Sequence, residues 1–337
     1  MKPTTIPAPD FDLAMTLGSG QVFHWEKLGN GSIGAIGDRP VYVEQHGDSL
    51  LTSCEDEKLI RNYFALDHPL AEICASFPVD PVMGAAKEFC RGLRIVRQPK
   101  WECLATFICS SMKQVAHIRQ ISRNLRERFG QPRKIELPRS IENADGESVA
   151  PRAMIEFGRL LRRRINIEQG TARSTNNRVV YTFPTAERIA ATSEKELRKC
   201  ALGYRAKNLL ASARLIASGD VDLEKLAALT DLDLRARLCE LPGVGSKVAN
   251  CVMLFAYERL RAFPIDVWIE RVLREKYFPR ARRLNAARLQ AFTEGYFGDH
   301  GGYAQQYLFH HARKTARRSR TIGSTQSKRR RLSQSRV

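Results

Sequence analysis

Residues 231–258 read DLDLRARLCELPGVGSKVANCVMLFAYE, and this stretch decides the fold. Its first part is helical in pattern, with Leu232, Leu234, Leu238 and Leu241 available to a core. Pro242-Gly243-Val244-Gly245 cannot continue that helix, and the two glycines permit positive φ and close approach of the backbone. Ser246 can begin a second helix, on which Val248, Cys251, Val252 and Phe255 form one apolar stripe. The unit is a helix–hairpin–helix. Its turn directs backbone N–H groups outward at a helix N-terminus, where the dipole favours an anion such as a nucleic-acid phosphate. Contacts through Gly243 and Gly245 would carry no sequence information. A plain connection between two helices is the other reading of LPGVG taken alone.

Two residues near this turn carry chemistry. Lys247 lies in the first turn of the second helix, where the positive end of the dipole disfavours an ammonium and leaves more of the neutral, nucleophilic amine. From position alone, an exposed lysine that binds phosphate is the simpler reading. Nineteen residues on, Asp266 in FPIDVW directly precedes VWIERVLREKY and is a natural N-cap. A carboxylate there could also stabilise positive charge on a sugar carbon or manage protons for the amine.

The surrounding chain has 337 residues, 55 Lys+Arg against 36 Asp+Glu, and a net charge of +19. That surplus points to a polyanionic partner, with nucleic acid first and a membrane surface second. Ten of the basic residues, with no acid, lie from Arg313 to Val337. This segment is rich in Ser, Thr and Arg, should not fold alone, and is read either as a solvated tail or as a phosphate tether. No apolar run is long enough to span a bilayer. MKPTTIPAPDFDLAM lacks the apolar stretch of a secretory signal, so an intracellular site with reduced cysteines is expected. The eight cysteines contain no CxxC pair and the seven histidines are scattered, which argues against a structural metal.

Between residues 21 and 53, QVFHWEKL, SIGAI and VYVEQ alternate apolar and polar positions between the turn signals GNG, GDRP and HGD. This predicts an antiparallel β-meander. From about Asp56 the period changes to that of amphipathic helices, as in KLIRNYFAL, WECLATFICSSM, HIRQISRNLRERF and AKNLLASARLIA. Residues 131–178 interrupt the order and read as an insertion, expected to be mobile at both ends. The expected architecture is α+β: a small N-terminal antiparallel β domain (1–95) packed beside a larger all-helical domain (96–312), followed by a disordered basic tail (313–337).

LPGVGSKVANC followed by FPIDVW resembles the core of the helix–hairpin–helix base-excision DNA glycosylases, and the 8-oxoguanine branch in particular. GSGQVFHW (18–25), WECLATFICSS (101–111), LGYRAKNLLASA (202–213) and AQQYLF (304–309) resemble further segments of that branch, in family order across about residues 10–310. The resemblance implies a bifunctional DNA glycosylase and AP lyase that excises oxidised purines from duplex DNA, as a monomer and without a cofactor. It implies that Lys247 displaces the base and forms a Schiff base at C1′, with Asp266 assisting. The iron–sulfur cluster of some relatives needs cysteines after the catalytic region, and none follows Cys251.

By the same resemblance, Cys251 and Phe309 would pack on the faces of a base flipped out of the duplex, Gln305 would bond its Watson–Crick edge, and Pro264 would line its pocket. The Gly20 carbonyl would accept the N7 hydrogen that 8-oxoguanine has and guanine lacks. Against guanine it would face a lone pair at a cost of about 1–3 kcal/mol. From their apolar settings alone, Cys251 and Phe309 read as core, and Gly20 as a turn residue. Tyr204 and Arg205 match residues that enter the distorted duplex. Met112-Lys113-Gln114 stands where the family has asparagines, and His117 stands where it has arginine. Met112 and His117 offer poorer partners to a cytosine edge, so a weaker preference for cytosine opposite the lesion is expected.

Two alternatives remain from the sequence: a glycosylase for alkylated or other damaged bases, which Lys247 disfavours if monofunctional, and a non-catalytic DNA-binding module. The tail reading has its own consequence. Each phosphate that the tail neutralises contributes about 0.9 to the magnitude of the log–log salt slope of non-specific DNA binding, so deleting the tail should flatten that slope. Equal slopes for the full and shortened chains would exclude a tether.

Overall fold

The alternating segments form an antiparallel sheet of five strands: β1 (Thr4–Pro7), β2 (Glu26–Leu28), β3 (Gly31–Ile36), β4 (Arg39–His46) and β5 (Ser49–Thr52). Its order is β1-β5-β4-β3-β2. The computed structural model describes residues 3–111, 113–137, 177–281 and 283–316. Two-residue connections starting with Gly29, Gly37 and Gly47 close the three hairpins, each of these glycines at positive φ. That is the twist a tight hairpin needs. Ser32 pairs with Val43 and Val43 with Thr52, which turns Val41 and Val43 of β4 toward one core with Ile6, Leu50, Ile60 and Phe64.

The meander departs from expectation in two ways. Strand β1 adds to the edge by pairing Thr5 with Leu51, a strand too short to show in the alternation. QVFHW is not a strand, because its side chains point to separate partners: Val22 and Trp25 enter the core of the N-terminal domain, and Phe23 meets Phe107 of the helical domain. Gln21 bonds the backbone of Arg94 (2.8 Å) and Val96 (2.9 Å), and the Trp25 indole donates to the Tyr63 hydroxyl at 3.0 Å.

The helical domain is built around Lys100–Ser110 and Ser246–Ala256, both nearly all buried. Val115–Phe129, Arg205–Ala217, Asp231–Cys239, Ala286–Phe297 and a helix over 301–316 surround them. The domain is not all-helical. Strands β6 (Pro132–Glu136) and β7 (Asn177–Tyr181) pair antiparallel, Arg133 opposite Val180. Ile135 and Val180 pack on Leu28, Ile33 and Tyr42 of the N-terminal sheet. The two ends of the expected insertion are therefore tied to each other and to that sheet rather than loose, while 138–176 lies outside the described residues.

The tail boundary also moves. Residues 313–316 complete the last helix, and Arg313 is only 9% exposed. Its burial was hidden by the basic composition that follows it. The charged segment tested by deletion therefore begins at 317, and 317–337 lies outside the described residues.

An ionic latch joins the two domains. Arg97 donates to both Asp67 oxygens at 2.6 and 2.8 Å and to Glu258 at 2.8 Å. His68 bridges Glu258 and the Tyr303 hydroxyl. His68 and Arg97 hold the Glu258 carboxyl down at about 2, against the opposing effect of burial. A depressed carboxylate stabilises the fold above its unfolded pKa, and that contribution disappears as pH falls through the folded value. The thermal stability gap between the wild type and Glu258→Gln is therefore expected to be full at neutral pH. It should close progressively as pH falls from the ordinary carboxylate value of 4.5 to about 2. A gap independent of pH over that interval would show that the latch does not depend on this charge.

Candidate functional site

The hairpin forms, with Leu234, Leu238 and Leu241 buried as expected, whereas Leu232 is 74% exposed. Asp231–Cys239 is capped by Thr230, and Ser246–Ala256 begins after Gly245. Gly243 takes φ +85°, and a Cβ there would stand 2.8 Å from that of Asn208, so both torsion and space require glycine. Gly245 is extended, exposed and has nothing within 4 Å of a Cβ position. The Ser212 hydroxyl donates to Pro242 O at 2.9 Å and ties the turn to Arg205–Ala217. The N–H groups of Gly243 and Gly245 donate to no described residue. They are open to an anion at the start of the helix.

Lys247 lies half-buried one turn below the hairpin. Its Nζ is 5.2 Å from the centre of the Phe107 ring, which is stacked on Phe255 at 5.5 Å and 11°. Phe23 of the N-terminal domain meets the same ring edge-on at 6.3 Å. The ammonium also contacts the Cys251 thiol, one helical turn on. Burial pushes the Cys251 thiol up to about 11, with Lys247 opposing, and pushes Cys103 well above the thiol range. Both thiols are therefore held protonated beside Lys247.

Asp266 faces this group. Its Oδ1 accepts from Trp268 N at 3.0 Å and Ile269 N at 2.9 Å, which makes it the cap of Val267–Val272. Burial raises its carboxyl above the ordinary value. The two backbone donors, the Lys247 charge and Arg313 pull the other way. The structure thus brings Lys247, Cys251 and Asp266 together, as expected.

The remaining pocket residues come from elements far apart in sequence. Gly20 sits at φ +96°, and a Cβ there would meet the Phe309 ring at 3.1 Å. Gln305, one turn before Phe309 on the 301–316 helix, is buried, and its Oε1 accepts no hydrogen bond from the described residues. A buried acceptor without a donor costs about 1–3 kcal/mol, which a ligand N–H would recover. Pro264 is buried two residues before Asp266, in a segment held by the bond from Asn250 Nδ2 to Phe263 O (3.4 Å).

The residues expected to face the duplex divide. Tyr204 is 56% exposed and follows a π-turn, Arg198–Leu202, where Ala201 is at φ +64°. Arg205 is 5% exposed, and its guanidinium donates to Ser111 O at 2.8 Å while lying 4.3 Å from the Tyr204 ring. It braces the end of Lys100–Ser110 and supports Tyr204. His117 is exposed in the first turn of Val115–Phe129. Met112 lies outside the described residues.

Sequence reasoning missed Phe107, Gln306 and Arg313. Phe107 lies within WECLATFICSS, and its helical spacing gives no sign that a lysine 140 positions on lies over its ring. Among the described residues, no group of three or more His, Cys, Asp or Glu could hold a metal ion. None of the described helices is long and apolar enough to cross a membrane.

Known proteins resemble this chain. Residues 4–104 match the 8-oxoguanine DNA glycosylase N-terminal domain, and residues 105–294 match the HhH-GPD superfamily of base excision DNA repair proteins. The N-glycosylase/DNA lyase OGG1 of Arabidopsis thaliana is 27% identical over 328 residues, covering 91% of this chain and 79% of the relative. The N-glycosylase/DNA lyase of Saccharomyces cerevisiae is 26% identical, covering 88% and 82%. MBOgg1, solved with a low-affinity DNA ligand, superposes with a TM-score of 0.77 at 30% identity, over 94% of this chain and 97% of that one. The 8-oxoguanine glycosylase/lyase of Clostridium acetobutylicum, bound to duplex DNA with cytosine opposite 8-oxoguanine, gives 0.75 at 26% identity, over 94% and 100%. With its five-stranded N-terminal sheet and its hairpin-borne lysine, this chain belongs to the HhH-GPD superfamily of base excision DNA repair proteins.

Proposed function

We propose that this protein is a bifunctional DNA glycosylase and AP lyase that excises 8-oxoguanine from duplex DNA in base-excision repair. The observation that carries the reading is Lys247, held at the start of the hairpin helix against Phe107, Cys251 and Asp266. The hairpin N–H groups grip the sugar-phosphate backbone, and exposed Tyr204 enters the duplex where the base has left it. Arg205 acts through Tyr204 and through Ser111. His117 stands where the opposite base is read and offers a poorer partner to a cytosine edge. The base is taken up between Cys251 and Phe309, beside Pro264, with Gln305 at its Watson–Crick edge and the Gly20 carbonyl at N7–H. The first hundred or so residues supply the Gly20 side of the pocket, and the helical domain supplies the rest. The enzyme works on genomic DNA, in a nucleus or a nucleoid.

The neutral Lys247 amine attacks C1′, the N-glycosidic bond breaks, and the base leaves with its electron pair and gains a proton. The sugar ring opens as the C1′–O4′ bond breaks, O4′ takes a proton, and an imine forms between Nζ and C1′. Loss of a C2′ proton then expels the 3′ phosphate by β-elimination. Asp266, whose cap uses Oδ1 alone, offsets the positive charge that develops at C1′.

Lys247→Gln is expected to abolish both base release and borohydride trapping on duplex DNA containing 8-oxoguanine, with binding of that DNA largely kept. Excision at the wild-type rate would refute the assignment.

Asp266→Asn keeps an oxygen for the cap and so isolates the chemistry, which should slow by about a hundredfold in single turnover. Asp266→Ala should in addition cost about 0.5–2 kcal/mol in urea unfolding. The ionised carboxylate is the working form and burial raises its pKa. The acid limb of wild-type excision should therefore lie above the ordinary carboxylate range and vanish in Asp266→Asn. An unchanged rate in that variant removes Asp266 from the mechanism.

A further inference from the structure

We infer that Arg313 is a positioning residue for base recognition: it clamps the Gly18–Gly20 loop to the Phe309 ring and so aims the Gly20 carbonyl. This rests on the functional reading above and adds to it a residue that sequence composition assigns to the tail.

The carbonyls on both sides of Gly20 are occupied. Arg313 Nη2 donates to Gly18 O at 2.6 Å, Gln306 Nε2 to Ser19 O at 3.3 Å, and Gln98 Nε2 to Gln21 O at 2.9 Å. Gly20 O alone of the four accepts no hydrogen bond from the described residues. The one acceptor left for a base is thus the one that reading N7–H requires.

Something must hold that carbonyl in place. Gly20 is at φ +96°, in a region a glycine enters and leaves at little cost, so its own torsions do not fix the peptide. Gln21 anchors the loop from the N-terminal side, and Arg313 anchors it from the C-terminal helix. The guanidinium spans the loop and the ring, with Nη2 also 3.4 Å from His310 Nδ1. It bonds Gly18 O, lies 5.1 Å from the centre of the Phe309 ring, and brings Nη1 to 2.5 Å from where a Cβ of residue 20 would stand. One planar group therefore sets the distance between the carbonyl that reads N7–H and the ring that stacks on the base. His310 reinforces the arrangement. Burial first, and then the Arg313 charge, hold it down at about 4, so it is neutral and can serve the Ser19 backbone.

The experiment compares wild type, Arg313→Leu and Arg313→Lys in single turnover on two duplexes, one with 8-oxoguanine and one with a preformed abasic site. The abasic site has no base to be read, so its cleavage reports Lys247 and the fold without the reader. Arg313→Leu is expected to lose at least about tenfold in 8-oxoguanine excision, as a misplacement near 1 Å can cost about a hundredfold. Its abasic cleavage, measured at a pH well above the carboxylate range so that Asp266 stays ionised without the Arg313 charge, should stay within about twofold. Arg313→Lys keeps the charge and one donation but not the plane, and should fall between the two. If Arg313→Leu does not fold, as judged by thermal unfolding, Arg313→Lys alone decides. A folded variant that excises at the full rate, or that loses both activities in parallel, overturns the inference. A wild-type protein that cleaves abasic sites and releases no 8-oxoguanine overturns the functional reading instead, and the inference with it.

Discussion

The fold of this protein depends on one buried amide. Gln21 is fully buried and uses both ends: Nε2 donates to Thr16 O (3.2 Å) and Arg94 O (2.8 Å), and Oε1 accepts from Val96 N (2.9 Å). Its backbone carbonyl accepts from Gln98, whose own N–H donates to Phe255 O at 2.8 Å, at the end of the nucleophile helix. Residues 93–98 thereby become a strap with one side bonded to the N-terminal domain and the other to the helical domain. Tyr303 and Tyr307 complete it through Ile95 N (3.3 Å) and Leu93 O (3.0 Å). A buried amide satisfied at both ends, as Gln21 is, fixes a single arrangement, because removing one partner leaves a desolvated polar group behind. The arrangement fixed here is the one that sets Gly20 opposite Phe309.

Lys247 has mostly uncharged neighbours. The structure surrounds Lys247 with an aromatic face and two thiols kept protonated by burial. Asp266, which faces it, is buried and committed in part to a helix cap.

What was legible in the sequence follows from what is local. The hairpin, its glycines, the lysine in the first helical turn and the Asp266 cap each depend on residues a few positions apart, and each shows in the chain itself. The β-meander was read from alternation and turn residues, with β1 missed because four residues carry almost no period. QVFHW alternates like a strand but serves the strap, since period alone does not say which partner a side chain meets. Resemblance assembled the pocket as a set, where physical reading left Cys251 and Phe309 as core. Phe107 and Arg313 were beyond reach, because their roles come from contacts across 140 and 293 positions respectively.

Arg313 shows how composition can mislead at a domain edge. A run of basic residues lowers the apparent hydrophobicity of the helix it follows, so the helix seems to stop early. Arginine is the side chain for which this error is easiest, because its planar cation can be buried when ring faces and carbonyls satisfy it. The site needs such a group at this position for a geometric reason. Gly20 lies near the N-terminus, Phe309 near the C-terminus and Lys247 between them. No single element carries all three, so the precision of recognition rests on the contacts that cross between elements. Gln21 makes that crossing through a strap and Arg313 makes it directly. Discrimination between an oxidised and an intact base is therefore a property of the joined domains, even though the chemistry resides in one.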